Sequence, residues 1–251
     1  MLDGMSAVDI RRKDQRFRTQ TSWLDSHHCF SFGAHYEPGN THFGSLLVTN
    51  DDIVAPGTGF DTHPHRDMEI VTWVLEGALV HQDSEGNNGL IYPGLAQRMT
   101  AGRGILHSEK NDSWRLTGES VHDRPVHFIQ MWVLPDESGI DPGYEQLDIN
   151  ESMRPNTWSV IASGRSKDAD ERAIRIRQSG AGLSVVRLDP DKAVPLPDAP
   201  MVHLYVARGT VELEGVGALA EGDSARLTAA GAPTLRAGPD GAEVLAWRMD
   251  S

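Results

Sequence analysis

The first half of this chain consists of short apolar runs, each halted within a few residues by a turn signal. Glu69-Ile70-Val71-Thr72-Trp73-Val74-Leu75 is rich in β-branched and aromatic residues and stops at Glu76-Gly77. Ala78 to Asp83 follows, then the turn-prone Ser84-Glu85-Gly86-Asn87-Asn88-Gly89. Leu90-Ile91-Tyr92 stops at Pro93-Gly94, and Gln97-Arg98-Met99-Thr100 stops at Ala101-Gly102-Arg103-Gly104. Ile105 to Glu109 and Val126 to Leu134 are further strands by the same criteria. Runs this short and this regularly punctuated predict an all-β sandwich or barrel with few helices, not βαβ units.

From Pro135 to about Pro155 the pattern breaks into Pro-Asp-Glu-Ser-Gly and Asp-Pro-Gly-Tyr-Glu, which reads as an interdomain connection. The strand-and-turn rhythm then resumes through Leu183–Leu188, Val202–Ala207, Val211–Glu214, Ser224–Leu227 and Glu243–Trp247. Only Ala169 to Arg177 is left open to a helix. The two halves also resemble each other. Leu75-Glu76-Gly77-Ala78 matches Ala207-Arg208-Gly209-Thr210, and Arg98-Met99-Thr100-Ala101 matches Arg226-Leu227-Thr228-Ala229. Between these two matches the offset changes by only four residues, as one shortened loop would produce. The economical reading is a duplicated barrel, with one domain over residues 1–135 and a second over 136–251.

Composition excludes several classes of function. No apolar run approaches the roughly 18 residues of a membrane span. Residues 1–25 hold no uninterrupted apolar core of the kind a secretory signal needs, so a cytoplasmic protein is expected. The single cysteine, Cys29, rules out an intrachain disulfide and reads as a small buried apolar side chain. With 36 acidic against 23 basic residues, the formal charge is −13. Such a surface repels phosphate backbones and anionic lipids, so neither direct nucleic-acid nor membrane binding is expected. The basic cluster Arg11-Arg12-Lys13 sits between Asp9 and Asp14 and reads as a solvated face.

Ten of the eleven histidines precede residue 128, and only His203 lies beyond it. Metal chemistry is therefore sought in the first barrel. His63 and His65 flank Pro64, and in an extended chain residues i and i+2 share one face. The proline suits an edge strand or a strand start. His107 and Glu109 repeat the spacing directly after a glycine-rich turn. Brought together across a barrel, the two pairs offer three neutral nitrogens and one carboxylate. That donor set suits one divalent transition metal, Fe(II), Mn, Ni, Co, Cu or Zn, rather than Ca or Mg. Glu69 shares parity with His63 and His65 and is a second candidate carboxylate; its alternative role is to orient an imidazole by hydrogen bonding.

Gly57, His63-x-His65 and Glu69 have the spacing of the first signature of the cupin family, and Gly102-Arg103-Gly104, His107 and Asn111 resemble the second. Two departures stand out: Gly77 follows Glu69 one residue late, and Gly102 stands where proline is common. His63-Pro64-His65-Arg66-Asp67-Met68-Glu69, His81-Gln82-Asp83-Ser84 and Met99 through Glu109 are together similar to the pirin family. The likeness runs from Trp23-Leu24-Asp25-Ser26 and Phe30-Ser31-Phe32 to Gln130-Met131-Trp132-Val133-Leu134-Pro135. His107-Ser108-Glu109-x-Asn111 resembles the bacterial branch with quercetinase activity.

The resemblance implies two tandem cupin barrels, a bicupin. It further implies that the carboxylate ligand is Glu109 rather than Glu69, beside His63, His65 and His107. Implied too is a quercetin 2,3-dioxygenase activity, in which O2 opens a flavonol ring with release of carbon monoxide. In that reaction Glu109 would be the general base, because a carboxylate beside an open coordination position can take the flavonol proton. An iron-dependent redox-sensing protein, with a protein partner and without turnover, is the alternative that the same resemblance allows. The second barrel should lack a metal: by the offsets above, the four ligand positions fall on Pro195, Pro197, Leu235 and Ala237, and His203 reads as structural. His28 and Phe32 read as packing near the site, and Gln97, Met99 and Arg103 as candidates for the cavity mouth. His81, His122 and His127 read as surface or core histidines, and Trp73 and Trp132 as core aromatics.

Overall fold

The computed structural model describes residues 7–250; residues 1–6 of the expected first domain and residue 251 of the second lie outside them. Helix among the described residues is confined to Trp114–Thr117 and two 3-10 turns, Lys13–Gln15 and Ser166–Asp168. Ala169 to Arg177 forms no helix; it carries the short strand Ile174–Arg175, parallel to Ser159–Ser163.

The first barrel is built from two sheets. One has seven strands in the spatial order Gly143–Asp148, Leu95–Thr100, Glu69–Glu76, Val126–Val133, Leu46–Val54, Leu24–His28 and Phe17–Gln20. The other has four, Gly59–His65, Ile105–Lys110, Leu79–Asp83 and Asn88–Ile91. Leu79 and Ile91 of the small sheet pack on Leu24, Val54, Val74 and Phe128 of the large one. The second barrel is a nine-stranded sheet with an apolar interior that includes Val186, Val202, Leu204, Val244 and Ala246.

Strand alternation explains why Ile70 to Leu75 is apolar throughout. Ile70 and Val74 face the first barrel's interior, whereas Val71, Trp73 and Leu75 face outward. That outer face meets the outer face of the second barrel, where Leu183, Val185, Tyr205, Leu245 and Trp247 pack against it. A sheet covered on both sides needs no polar face. Cys29 lies in this apolar layer, and burial pushes its thiol up. Each fully buried large aliphatic or aromatic side chain contributes roughly 1.5–3 kcal/mol, so the layer outweighs any single polar contact at the interface.

Polar groups set the interface register. Trp73 Nε1 donates to Glu243 Oε1 at 2.7 Å. Asp51 accepts from Arg16 at 3.1 Å and from the Tyr205 hydroxyl at 2.6 Å, and lies 2.6 Å from His127 Nε2. Burial alone would raise the Asp51 carboxyl, but the His127 hydrogen bond and the Arg16 charge outweigh it and hold it well below the usual range.

The strand pairing departs from a division at residue 135 in two places. Ala7–Arg11 pairs with Ser224–Thr228 of the second barrel. Arg12 bonds Asp223 at 2.8 Å, so the cluster read as a solvated face is a docking strap. Conversely, Gly143–Asp148 pairs with Leu95–Thr100 and extends the first barrel's sheet. It is a half-buried edge strand of mostly polar residues, which is why its sequence resembles a linker.

His203 packs on Phe30 across the interface, with ring centroids 5.5 Å apart, and its Nε2 has no partner. Burial, helped by the charge of Arg226, pushes it down to about 3. Between the ordinary value near 6.5 and about 3, the unfolded chain binds a proton that the folded chain refuses, so stability falls as pH falls through this window. Thermal unfolding between pH 6.5 and 4 should therefore lose less Tm in His203→Leu than in the parent chain. Equal slopes would refute this account of His203.

Candidate metal centre

Strands Gly59–His65 and Ile105–Lys110 are antiparallel neighbours in the small sheet, with His63 directly opposite His107. A bulge between His107 and Glu109 lets Glu109 pair with Phe60. The strands approach closely here: a Cβ on Gly59, whose φ is +150°, would lie 2.1 Å from the Glu109 carbonyl oxygen. Only glycine fits that position.

This pairing draws three imidazoles together. Ring centroids are 4.4 Å apart for His63 and His107, 4.8 Å for His63 and His65, and 4.9 Å for His65 and His107. The Nε2 atoms of His63 and His107 lie 3.0 Å apart. Two nitrogens that each bind an ion at about 2.0–2.1 Å, at right angles, are separated by about 3 Å. His65 Nε2 is buried without any partner. The donors therefore fit a metal ion. Burial foremost, then the other imidazoles, pushes His65 down to about 4 and His107 down to about 3. Both rings are thus neutral near pH 7, as ligation requires.

Hydrogen bonds on the far side of His63 and His107 select the ligating tautomer. His63 Nδ1 lies 2.7 Å from the Asp61 carbonyl oxygen and donates to it, leaving the Nε2 lone pair free. His107 Nδ1 lies 3.4 Å from His81 Nδ1, and His81 Nε2 lies 3.1 Å from Asp83 Oδ2. The carboxylate can only accept, so His81 carries its proton on Nε2 and accepts from His107 Nδ1. The Nε2 of His107 is then free to bind a metal.

Glu109 is 3% exposed, and Gln130 Nε2 reaches its two carboxylate oxygens at 2.8 and 3.0 Å. Gln130 Oε1 accepts from Trp132 Nε1 at 3.0 Å. Ligand atoms of His81, His107 and Glu109 lie within 4.8 Å of one another, and so do those of His63, His65 and His107. The two groups share His107. Asp83 and the rear of the His107 ring already engage His81, so His81 supports the site from behind. Glu69 points the other way: its Oε2 accepts from the Arg177 backbone N–H at 3.0 Å, toward the second barrel. Asp67, at φ +49°, breaks the extended chain after His65 and resets the alternation that parity alone would carry to Glu69.

A cavity of about 410 Å³ opens beside His63, His65 and Glu109. Leu24, Phe32, Phe60 and Trp132 form its apolar walls. This size lies within the range of small-molecule sites.

The Pirin family model matches residues 10–133. A Mycobacterium tuberculosis protein named "Putative quercetin 2,3-dioxygenase" is 54% identical, over 97% of this chain and 96% of its own length. The chain belongs to the pirin family. An Escherichia coli protein named quercetin 2,3-dioxygenase is 36% identical over 84% of this pirin and 86% of its own length. The bacterial pirin YhhW from Escherichia coli, solved in complex with nickel(II), is 32% identical over 98% of this chain and 100% of that one, with a TM-score of 0.84. The fold is thus a bicupin, and its histidine cluster has the donor set of a divalent-metal site.

Several sequence readings move once the pirin is seen in three dimensions. Trp132 is a cavity wall, edge-on to His65 at 4.8 Å, whereas Trp73 is a core aromatic. His28 and Phe32 stack at 5.0 Å and both line the cavity. Gln97, Met99 and Arg103 are not among its lining residues. His122 packs on Trp114, away from the site. His81, which reads as a surface or core histidine, lies behind His107, and His81-x-Asp83 repeats the i, i+2 spacing of the two candidate ligand pairs. Replacing His81 by Phe would keep its stack on Tyr144, 4.7 Å away, and remove the bond to His107. His81→Phe should weaken metal affinity about 10- to 100-fold with Tm little changed, as read by chelator competition. Unaltered affinity would dismiss His81 as a support.

Proposed function

We propose that this pirin is a metal-dependent dioxygenase that opens a flavonol ring of the quercetin type with O2 and releases carbon monoxide. The observation that carries the reading is the partly apolar cavity bordered by His63, His65 and Glu109, in a chain related to proteins named for that activity. In this reading His63, His65, His107 and Glu109 hold one divalent metal, with Fe(II) as the native ion. Four ligands leave one or two positions free on a five- or six-coordinate ion, as an oxygenase needs and a structural metal does not. When bound, the ion supplies a Lewis acid for the flavonol oxyanion and a redox partner for O2.

The protein's own residues prepare the substrate. Glu109 takes the proton of the flavonol 3-hydroxyl. Gln130 holds both oxygens of that carboxylate and is itself fixed by Trp132, so the acceptor is oriented before substrate arrives. Phe32, Phe60 and Trp132 pack against the flat rings and exclude water.

Iron-loaded protein mixed with quercetin in air should bleach the flavonol absorption band through many turnovers and release carbon monoxide. An unchanged band under O2 would refute the oxygenase reading. Oxygen uptake that stopped after about one oxidising equivalent would instead identify a redox-responsive binding protein. His107→Ala should abolish metal retention while circular dichroism stays that of the parent, because the core lies in the strands. Full metal content in both His63→Ala and His107→Ala would overturn the ligand assignment.

A further inference from the structure

The cavity beside the metal centre has a polar wall. In the paired strands Leu24–His28 and Leu46–Val54, Ser26 stands opposite Asp52 and His28 opposite Asn50. Asn50 in turn stands opposite Gln130 of the strand Val126–Val133. All five side chains line the cavity.

Four of them have partners within the protein. Gln130 is held between Glu109 and Trp132. Asn50 Oδ1 lies 2.8 Å from His28 Nδ1, and His28 Nε2 lies 2.9 Å from the Thr19 hydroxyl. The Ser26 hydroxyl lies 3.4 Å from His28 Nδ1. Asp52 differs. It is 3% exposed, and its Oδ1 is shut off from solvent with no hydrogen-bond partner. A buried polar atom left unpaired destabilises the folded chain, so such atoms are rare and point to a function.

We propose that Asp52, with Ser26 opposite it, is a substrate-recognition subsite that binds a ring hydroxyl of the substrate and makes the cavity selective for polyhydroxylated aromatics. The ligand class rests on the flavonol reading above; the unpaired carboxyl oxygen does not. Asp52 lies one pleat repeat, about 7 Å, along the wall from Asn50, whose neighbour Gln130 holds Glu109. His63, His65 and Glu109 line the same cavity as Asp52, so a fused aromatic system held there faces both. A hydroxyl both donates and accepts, and the wall offers both functions. The carboxyl accepts in either protonation state and donates when protonated, and the Ser26 hydroxyl does both. Burial foremost pushes Asp52 up to about 8 against the pull of Ser26, so the protonated form is present near neutrality. Beyond Asp52 the lining turns apolar at Leu24, which packs on the core residues Val54 and Phe128 and offers a ligand hydroxyl no competing partner.

The test is anaerobic titration of metal-loaded protein with quercetin and with 3-hydroxyflavone, which lacks the additional ring hydroxyls. Nitrogen prevents turnover, and the ratio of the two dissociation constants is the readout. The parent should favour quercetin, on the order of tenfold or more, and Asp52→Leu should bring the ratio toward one. Asp52→Asn, which keeps a donor and an acceptor, should restore most of the preference. Ligand-free Asp52→Leu should melt no lower than the parent, since it relieves an unpaired buried oxygen. A preference untouched by Asp52→Leu overturns the proposal, as does an Asp52→Asn variant no more selective than Asp52→Leu. Should Asp52→Leu fail to fold, Ser26→Ala carries the test: a several-fold narrower ratio supports the subsite and an unchanged one overturns it. Selective binding without turnover in air would refute the oxygenase reading and leave the subsite standing. If neither flavonol binds the parent, both fall.

Discussion

The site hangs on the register between two short strands, Gly59–His65 and Ile105–Lys110. Side chains alternate with period two, so a slip of one residue would turn His63 and His65 outward while His107 stayed inside. Both ends of the pairing are pinned. At one end Gly57 N–H donates to the Asn111 carbonyl at 2.7 Å and Asn111 N–H to Thr58 at 2.8 Å. At the other, Asp67 N–H reaches the Gly102 carbonyl and Ala101 N–H the Met68 carbonyl, each at 2.8 Å. Gly57, Gly102 and Asn111 are the positions that carry the cupin-like spacing. Their part is to hold the two pairs of candidate donors at a fixed distance, not to touch a ligand.

Such a centre is unfavourable to build. Three imidazoles crowd around one point, one nitrogen without a partner, and a buried carboxyl oxygen in the adjoining wall is unpaired as well. Each buried unsatisfied group costs about 1–3 kcal/mol, a large fraction of the stability of an ordinary domain. The compensation lies elsewhere in the molecule. Val71, Trp73, Leu75, Ile129 and Met131 bury their outer face on the second barrel, and the Asp51–Arg16–Tyr205 cluster fixes how the faces meet. The opposite side of those same strands carries Gln130 and Trp132 into the cavity. A rigid sheet buried on both faces is a firm support for a site that itself opposes folding.

Much of this is legible in the sequence. Short punctuated runs encode an all-β fold because β-branched residues and turn residues act locally, and the two i, i+2 pairs encode a shared face because strand geometry is local too. What stayed hidden depends on distant chain. Gly143–Asp148 resembles a linker because an edge strand needs no apolar face, and Ala7–Arg11 gives no sign that it pairs with a strand more than two hundred residues away. Glu69 shares parity with the histidines only if the chain stays extended, and one residue at positive φ, Asp67, voids that premise. His81 gains its role from the neighbouring strand that carries His107, and Trp132 from His65 in the facing sheet; periodicity reports neither. Asp52 is the hardest case: between Asp51 and Ile53 it reads as one acid of an acidic surface, and only burial distinguishes it.

The second barrel shows how separable the fold is from the chemistry placed on it. Its strands Ala193–Pro195 and Thr234–Met249 are antiparallel neighbours, as Gly59–His65 and Ile105–Lys110 are in the first barrel. Leu235 and Ala237 are buried in an apolar core where the first barrel gathers imidazoles. The same architecture therefore tolerates either filling, and the filling decides the role. An apolar filling spares that barrel the crowded imidazoles the first one carries. What it contributes is an outer face that covers an apolar surface the first barrel would otherwise expose to water, and patches of that kind drive association. The duplicated half thus serves the site by what it covers, and the crossed strands at Ala7–Arg11 and Gly143–Asp148 keep the two halves from being shed one from the other.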